Sequence, residues 1–294
     1  MSAFRLGLAL LLLAPTGASA LQAPAPAPSA EEAAWNLEAL PAEAAQLEAL
    51  LGEHEAALAS EDALRIAASL SAMRPWSNEE LIDPAKDALR YRASRLDKDA
   101  VDQEMEELGL RDKSDERRLI AEREAAVQAA AAALLGNFDA RTASAALKRV
   151  VGNKDVRDDK PAYLAAAIES LGRVGYDRVE DDVLGEFRRF GDPAVMRACV
   201  RYIGALPTES YGTVRMLCEE LRPPEPADPT AADNPPASYW EMRWQQWREY
   251  RMDVVWALQE ITGQEFALAV NGQAGDTERA LEYVREHKRE LGLR

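Results

Sequence analysis

Pro161–Gly172, PAYLAAAIESLG, and Pro193–Gly204, PAVMRACVRYIG, are two versions of one helix. Pro161-Ala162-Tyr163-Leu164 lies over Pro193-Ala194-Val195-Met196, Ile168 over Val200, and Ala165-Ala166-Ala167 over Arg197-Ala198-Cys199. Each begins with proline, whose fixed φ and missing N–H suit a first helical turn, and Asp192 stands where an N-cap should. The small residues at the middle leave room for a neighbouring helix. The same pattern recurs upstream, as Ala129-Ala130-Ala131 before Leu135-Gly136, and downstream, as Val254-Val255-Trp256-Ala257-Leu258 before Ile261-Thr262-Gly263, with Thr262 in the glycine's place. The terminal glycines at 136, 172 and 204 are spaced 36 and 32 residues apart, and the last step, to Thr262, is 58.

Partner helices are expected between these copies, over Ala140 to Val151, Asp177 to Phe190 and Thr208 to Leu221. The long last step is explained if the stretch from Arg222 to roughly Tyr250, with six prolines, is largely an insertion. A two-helix unit has an apolar stripe that it cannot bury alone, so stacking successive units into one core is the physical solution. No sustained apolar/polar alternation flanked by turn residues suggests a sheet.

The region from about Glu124 to Gly263 resembles HEAT repeats, in particular the short kind common in bacterial proteins, whose second helix ends in an apolar-Gly step. The closing segment Leu258-Gln259-Glu260-Ile261-Thr262-Gly263-Gln264-Glu265-Phe266 is similar to the end of many exported bacterial HEAT-like proteins. The resemblance implies an all-α fold: a right-handed α-solenoid of stacked antiparallel helix pairs, preceded by an N-terminal helical region, with a scaffolding or protein-binding role and no catalytic residues to carry over. The tetratricopeptide signature cannot be placed at its period of about 34 residues.

Outward from the repeats, the domain plan is a signal peptide at 1–20, an Ala/Pro linker at 21–29, an N-terminal helical region at 30–120, HEAT-like repeats at 121–263 with a proline-rich insertion at 222–238, and a C-terminal capping helix within 264–294. Arg5, the apolar run Leu6–Leu13 and the Ala18-Ser19-Ala20 site make the signal peptide; the run is too short to span about 30 Å of hydrocarbon. The expected address is therefore exported, periplasmic or secreted, with no membrane insertion after cleavage. Ser29 with Glu32, Ser77 with Glu80, and Ser238 with Glu241 have capping-box spacing, and Ser60 is a further N-cap candidate. Pro41 is expected to kink or divide the first helix, and Pro84 to open one running to Leu96. Gly136 suits a left-handed helix stop. Leu281, Val284 and Leu291 form the inward stripe of the last helix.

The formal net charge is −16, and −17 once Arg5 is removed with the signal. Such a surface repels phosphate, which argues against nucleic acid and anionic lipid as partners. Acids and bases are interspersed, so the charge itself reads as solubility. Chemistry is hard to place. The two histidines, His54 and His287, lack zinc-site company, and Asp97, Asp99 and Asp102 lack the glycine and terminal glutamate of an EF-hand. No nucleophile elbow or glycine-rich phosphate loop exists. No catalytic residue, metal ligand or cofactor is expected.

Cys199 and Cys218 lie on helices joined near Pro207, and the exported compartment permits a disulfide. Their axial offset of about 5 Å, at roughly 1.5 Å per residue, and the alignment of Cys199 with Ala167 favour two buried thiols. The candidate binding residues are aromatic: Tyr239, Trp240, Trp244, Trp247 and Tyr250, with Trp240, Trp244 and Trp247 on one face at i, i+4 and i+7. Such a stripe either packs against a neighbouring repeat or forms a recognition surface, since amphipathic rings are favoured at binding hot spots. Two uses follow. Either the repeat array, or the insertion with its aromatic neighbour, holds a protein partner of the cell envelope, or the aromatic face binds a glycan or an extended peptide.

Overall fold

A computed structural model describes residues 30–93, 98–189, 191–206, 208–226, 230, 233–264 and 275–294. The expected signal peptide, the Ala/Pro linker and the Ser29 cap lie outside the described residues. The protein is all-α: the described residues form helices and turns, with no strand among them. The chain divides into two compact units, Met1–Leu47 and Glu48–Arg294. Of the first, the described part is the beginning of α1 (Ala30–Ser60), which is continuous through Pro41 rather than divided there.

In the second unit follow α2 (Ala63–Met73), a short 3-10 turn (Glu79–Leu81), α3 (Ile82–Ala88), α4 (Lys98–Glu107) and α5 (Lys113–Leu135). Then come α6 (Ala140–Leu147), α7 (Lys154–Asp159), α8 (Pro161–Arg173), α9 (Glu180–Phe187), α10 (Pro193–Ala205), α11 (Tyr211–Glu219), α12 (Ala237–Thr262) and α13 (Asp276–Glu286). The helices with prolines at their first turn, α8 and α10, begin where the sequence pattern starts them.

Several caps fall elsewhere than spacing alone suggests. Asp62, not Ser60, caps α2, its carboxylate accepting from the Leu64 and Arg65 amides at 2.9 and 3.3 Å, while the Ser60 hydroxyl donates back to Ala57 O at 2.6 Å. A charged acceptor outcompetes a hydroxyl for amide protons. Asn78 takes the place expected of Ser77 and accepts from the Glu80 amide. Ser238 lies inside α12, which starts after Pro236 without a side-chain cap. α3 begins two residues before Pro84 and ends at Ala88, short of Leu96.

The long helices pack in series. α2 lies against α5, α5 against α8, α8 against α10 and α10 against α12; α3 and α4 pack on α5, α6 and α7 on α8, α9 on α10, and α11 on α12. Ala131, Leu135, Leu164, Ala167, Ile168, Cys199, Ile203, Val254 and Ala257 are buried between them. Glycine permits the contact. Gly136 is right-handed, with φ −67°, so it is not a left-handed stop. A Cβ there would lie 2.9 Å from Ser170 Cβ, one on Gly172 would lie 2.9 Å from Tyr202 Cα, and one on Gly204 2.8 Å from Ala257 Cα. Ser170 uses the space at Gly136 to donate to Ala132 O at 2.8 Å.

These contacts correct the alignment of the fourth copy. Ser170 and Tyr202 each stand two residues before the glycine position of their own helix, so Ala257, which meets Gly204, puts Gln259 in that place rather than Thr262. α12 therefore runs most of a turn past the common end before Gly263 closes it with φ 66°.

Buried and half-buried charges also tie the elements together. Glu124 on α5 accepts from Lys160 Nζ, from Arg92 Nη1 at 3.1 Å and from the Ala93 amide at 3.0 Å, while Gln128 Nε2 donates to Leu89 O and Tyr91 O. Arg157 on α7 grips Glu186 on α9 with two bonds of 2.5 and 2.6 Å. α13 packs on α11 and is anchored to α12 by the buried pair Arg251–Asp276 at 3.4 Å. Its inward stripe is Ala280 and Val284, with Leu293 beyond it; Leu281 and Leu291 are half-buried.

Candidate binding surfaces

The five aromatic candidates on α12 do not share one environment. Trp247 and Tyr250 are 2% and 4% exposed. Trp247 Nε1 donates to Glu220 O at 2.9 Å and the Tyr250 hydroxyl to Glu220 Oε2 at 2.8 Å. Burial, together with Glu220, pushes the Tyr250 phenol far up. Both rings are polar-tipped core residues that fix α12 to the end of α11. Trp244 is half-buried, edge-on to Trp247 and beneath the Arg248 guanidinium. Tyr239 is exposed and edge-on to half-buried Trp240.

Cys199 and Cys218 are free, buried thiols. α11 packs mainly on α12 and α13, so the two cysteines are not carried by a facing helix pair. Burial pushes the Cys218 thiol up to about 12 and that of Cys199 further.

A different surface collects the groups with binding capacity. Along one flank of α2, α5, α8 and α10 runs a groove of about 550 Å³ whose floor includes Ala67, Ala126, Ala130, Ala133, Ala166 and Ala198. It adjoins a second hollow of about 480 Å³ that reaches Ala205, Asp253 and Trp256. Four arginines line this surface, Arg74, Arg173, Arg197 and Arg201, against two carboxylates, Glu169 and Asp253. In a chain of net charge −16, a local cationic excess is a focused field, and low-dielectric walls strengthen it.

The charges form a ladder across three helices. Asp253 on α12 accepts from Arg197 and Arg201 on α10, both at 2.8 Å. Arg201 also stands 3.6 Å from Glu169 on α8, and Glu169 is 3.4 Å from Arg173. Hydrogen bonding to Asp253 raises the Arg201 guanidinium above its ordinary value, and Glu169 adds to this. The ladder holds the arginines in a fixed array while leaving each partly exposed. Arg74, on the far side, is exposed.

Sequence reasoning passed over the groove although its signal was present. Arg197 and Arg201 align with Ala165 and Glu169, so two arginines of one helix occupy places that hold an alanine and a glutamate in the next. Trp256, 39% exposed, belongs to the same array rather than to the aromatic stripe, because the corrected register sets it level with Arg201.

No protein-family profile matches this sequence, and no match is found among curated proteins or solved structures. Among the described residues no helix is long and apolar enough to cross a membrane.

Proposed function

We propose that the chain is an exported, non-catalytic scaffold, a right-handed α-solenoid of HEAT-like helix pairs, that binds a protein partner of the cell envelope in the arginine-lined groove. The observation that carries this reading is the cationic excess on an alanine floor in an otherwise acidic protein. Small side chains let a partner's backbone or helix approach closely, and fixed guanidinium groups recognise carboxylates in a planar, bidentate manner. The partner segment is accordingly acidic. Support for the solenoid comes from the serial packing of α2, α5, α8, α10 and α12 and from the repeated glycine contacts between neighbours.

The alternative is a glycan- or peptide-binding face. Tyr239 with Trp240 favours it, since Tyr239 is exposed and stands edge-on to half-buried Trp240, an aromatic pair on which a sugar ring or a peptide side chain could stack. Trp247 and Tyr250 are committed to the core and contribute to that face only by support.

The test is affinity capture from the native envelope with wild type, Ala130→Glu/Ala166→Glu and Tyr239→Ala/Trp240→Ala, each first shown by circular dichroism to be folded. Ala130 and Ala166 are half-buried on the groove side, so glutamates there extend into it and reverse its field. Loss of the same acidic partner by at least tenfold, about 1.4 kcal/mol, in the groove variant alone supports the scaffold. Loss in the Tyr239/Trp240 variant alone moves the site to α12. Export is tested by the N-terminal mass of the protein recovered outside the cytoplasm, expected to begin at Leu21.

A further inference from the structure

His54 on α1 is 3% exposed, and its hydrogen bonds fix which ring nitrogen carries the proton. Nδ1 lies 2.8 Å from Ser69 Oγ. The Ser69 hydroxyl donates its single proton to Ile66 O at 2.8 Å, so toward the imidazole it can only accept. The proton is therefore on Nδ1, and Nε2 is a bare acceptor. Among the described residues no hydrogen bond is made at Nε2.

What lies beside it is a half-open cleft of about 360 Å³, lined by His54 together with Leu51, Leu58, Ile66, Pro84 and Ala88. Leu58 is 46% exposed. Tyr91 closes one side, and the charged groups around the cleft are Glu55 on α1, Asp83 and Asp87 on α3, and Arg90 just after it. Arg90 is 3.8 Å from Asp87, which leaves a surplus of carboxylate among the described residues. The cleft thus combines an apolar wall, a lining histidine whose Nε2 has no partner among the described residues, and an anionic mouth. An anion is repelled by this set, and an uncharged apolar molecule leaves Nε2 unsatisfied. Among the described residues no group of three potential metal ligands converges.

We propose that the cleft binds a small primary amine carrying an apolar chain, with an ammonium N–H donated to His54 Nε2 and the chain laid against Leu51, Leu58 and Ile66. The mouth carboxylates Asp83 and Asp87 stabilise the cation through their field. The site is separate from the arginine groove and does not rest on the scaffold reading. Burial lowers the His54 pKa, against the opposing charge of Glu55, so the acceptor form prevails at neutral pH. Acid protonates Nε2 and removes the acceptor, so amine binding weakens as pH falls.

The experiment uses the full chain with ¹⁵N-labelled histidine, where only His54 and His287 give signals, titrated with hexylamine, hexanol and hexanoate. Hexylamine is expected to shift the His54 Nε2 resonance and leave His287 unmoved, hexanol to bind about tenfold more weakly, and hexanoate to have no effect. Asp83→Asn/Asp87→Asn alters exposed side chains and is expected to weaken hexylamine several-fold with the fold intact. A silent His54 at millimolar hexylamine, an equal response to hexanoate, or undiminished hexylamine affinity in the double variant each overturns the proposal.

Discussion

Gly172 lies against Tyr202 so closely that a methyl group on it would sit 2.9 Å from the Tyr202 Cα. The obstruction is backbone, which cannot rotate away. Gly172→Ala gains about 1 kcal/mol in helix propensity but forces α8 and α10 apart, at a cost of about 1–3 kcal/mol, and net destabilisation is expected. Gly185, inside α9, has nothing within 4 Å of its added Cβ, and Gly185→Ala is expected to stabilise by about 0.5–1 kcal/mol. Urea denaturation of the two variants beside wild type checks the opposite signs.

The Glu124–Lys160 pair predicts an acid-labile joint. Burial alone would raise the Glu124 carboxyl, but hydrogen bonds from Lys160 and Arg92 hold it below its ordinary value of 4.5. A carboxyl with a depressed folded pKa contributes stability that is complete above the unfolded value and lost as pH falls through the folded one. Glu124→Gln strands the buried Lys160 ammonium, and a loss of about 3 kcal/mol is expected at pH 7. As pH falls below 4.5 and through the depressed Glu124 value, the gap between variant and wild type should narrow, as thermal melts across pH will show.

Along α12 the aromatic residues should separate into two groups. Trp247→Ala empties a core site and is expected to cost about 3–5 kcal/mol; Tyr250→Phe strands the Glu220 carboxylate and is expected to cost about 1–2 kcal/mol. Tyr239→Ala should change stability by no more than about 0.5 kcal/mol. Denaturant midpoints for the three provide the check.

Both cysteines should resist alkylation in the native protein and react together on unfolding. Burial keeps each thiol protonated, and the thiolate is the reactive form. Mass spectrometry after iodoacetamide treatment, with and without guanidinium, is expected to show no adduct and then two. Partial native labelling of Cys218 would mean that α11 opens locally.

Helix content was legible from the sequence because it rests on local signals: the prolines at the starts of α8 and α10, the Asp192 cap, and apolar residues at helical spacing. Burial of Cys199 was legible too, since its repeat partner Ala167 lies at a core place. The cap errors at Ser60 and Ser77 have a local cause, a stronger acceptor one or two residues away. The fate of the aromatic stripe had no local signal, since identical i, i+4, i+7 spacing serves a core and an exposed face equally.

The sequence by itself determined that the chain is helical and where its similar helices begin, because propensity, capping and periodicity act within a few residues. Only the tertiary structure decided what those helices present to one another. It placed α2 against α5, set Ala257 rather than Glu260 opposite Gly204, buried Trp247 over Glu220, and gathered Arg197 and Arg201 around Asp253. Each of these depends on how far one helix is turned and shifted against the next. That choice is made by close packing between residues distant in the chain, which no local pattern records.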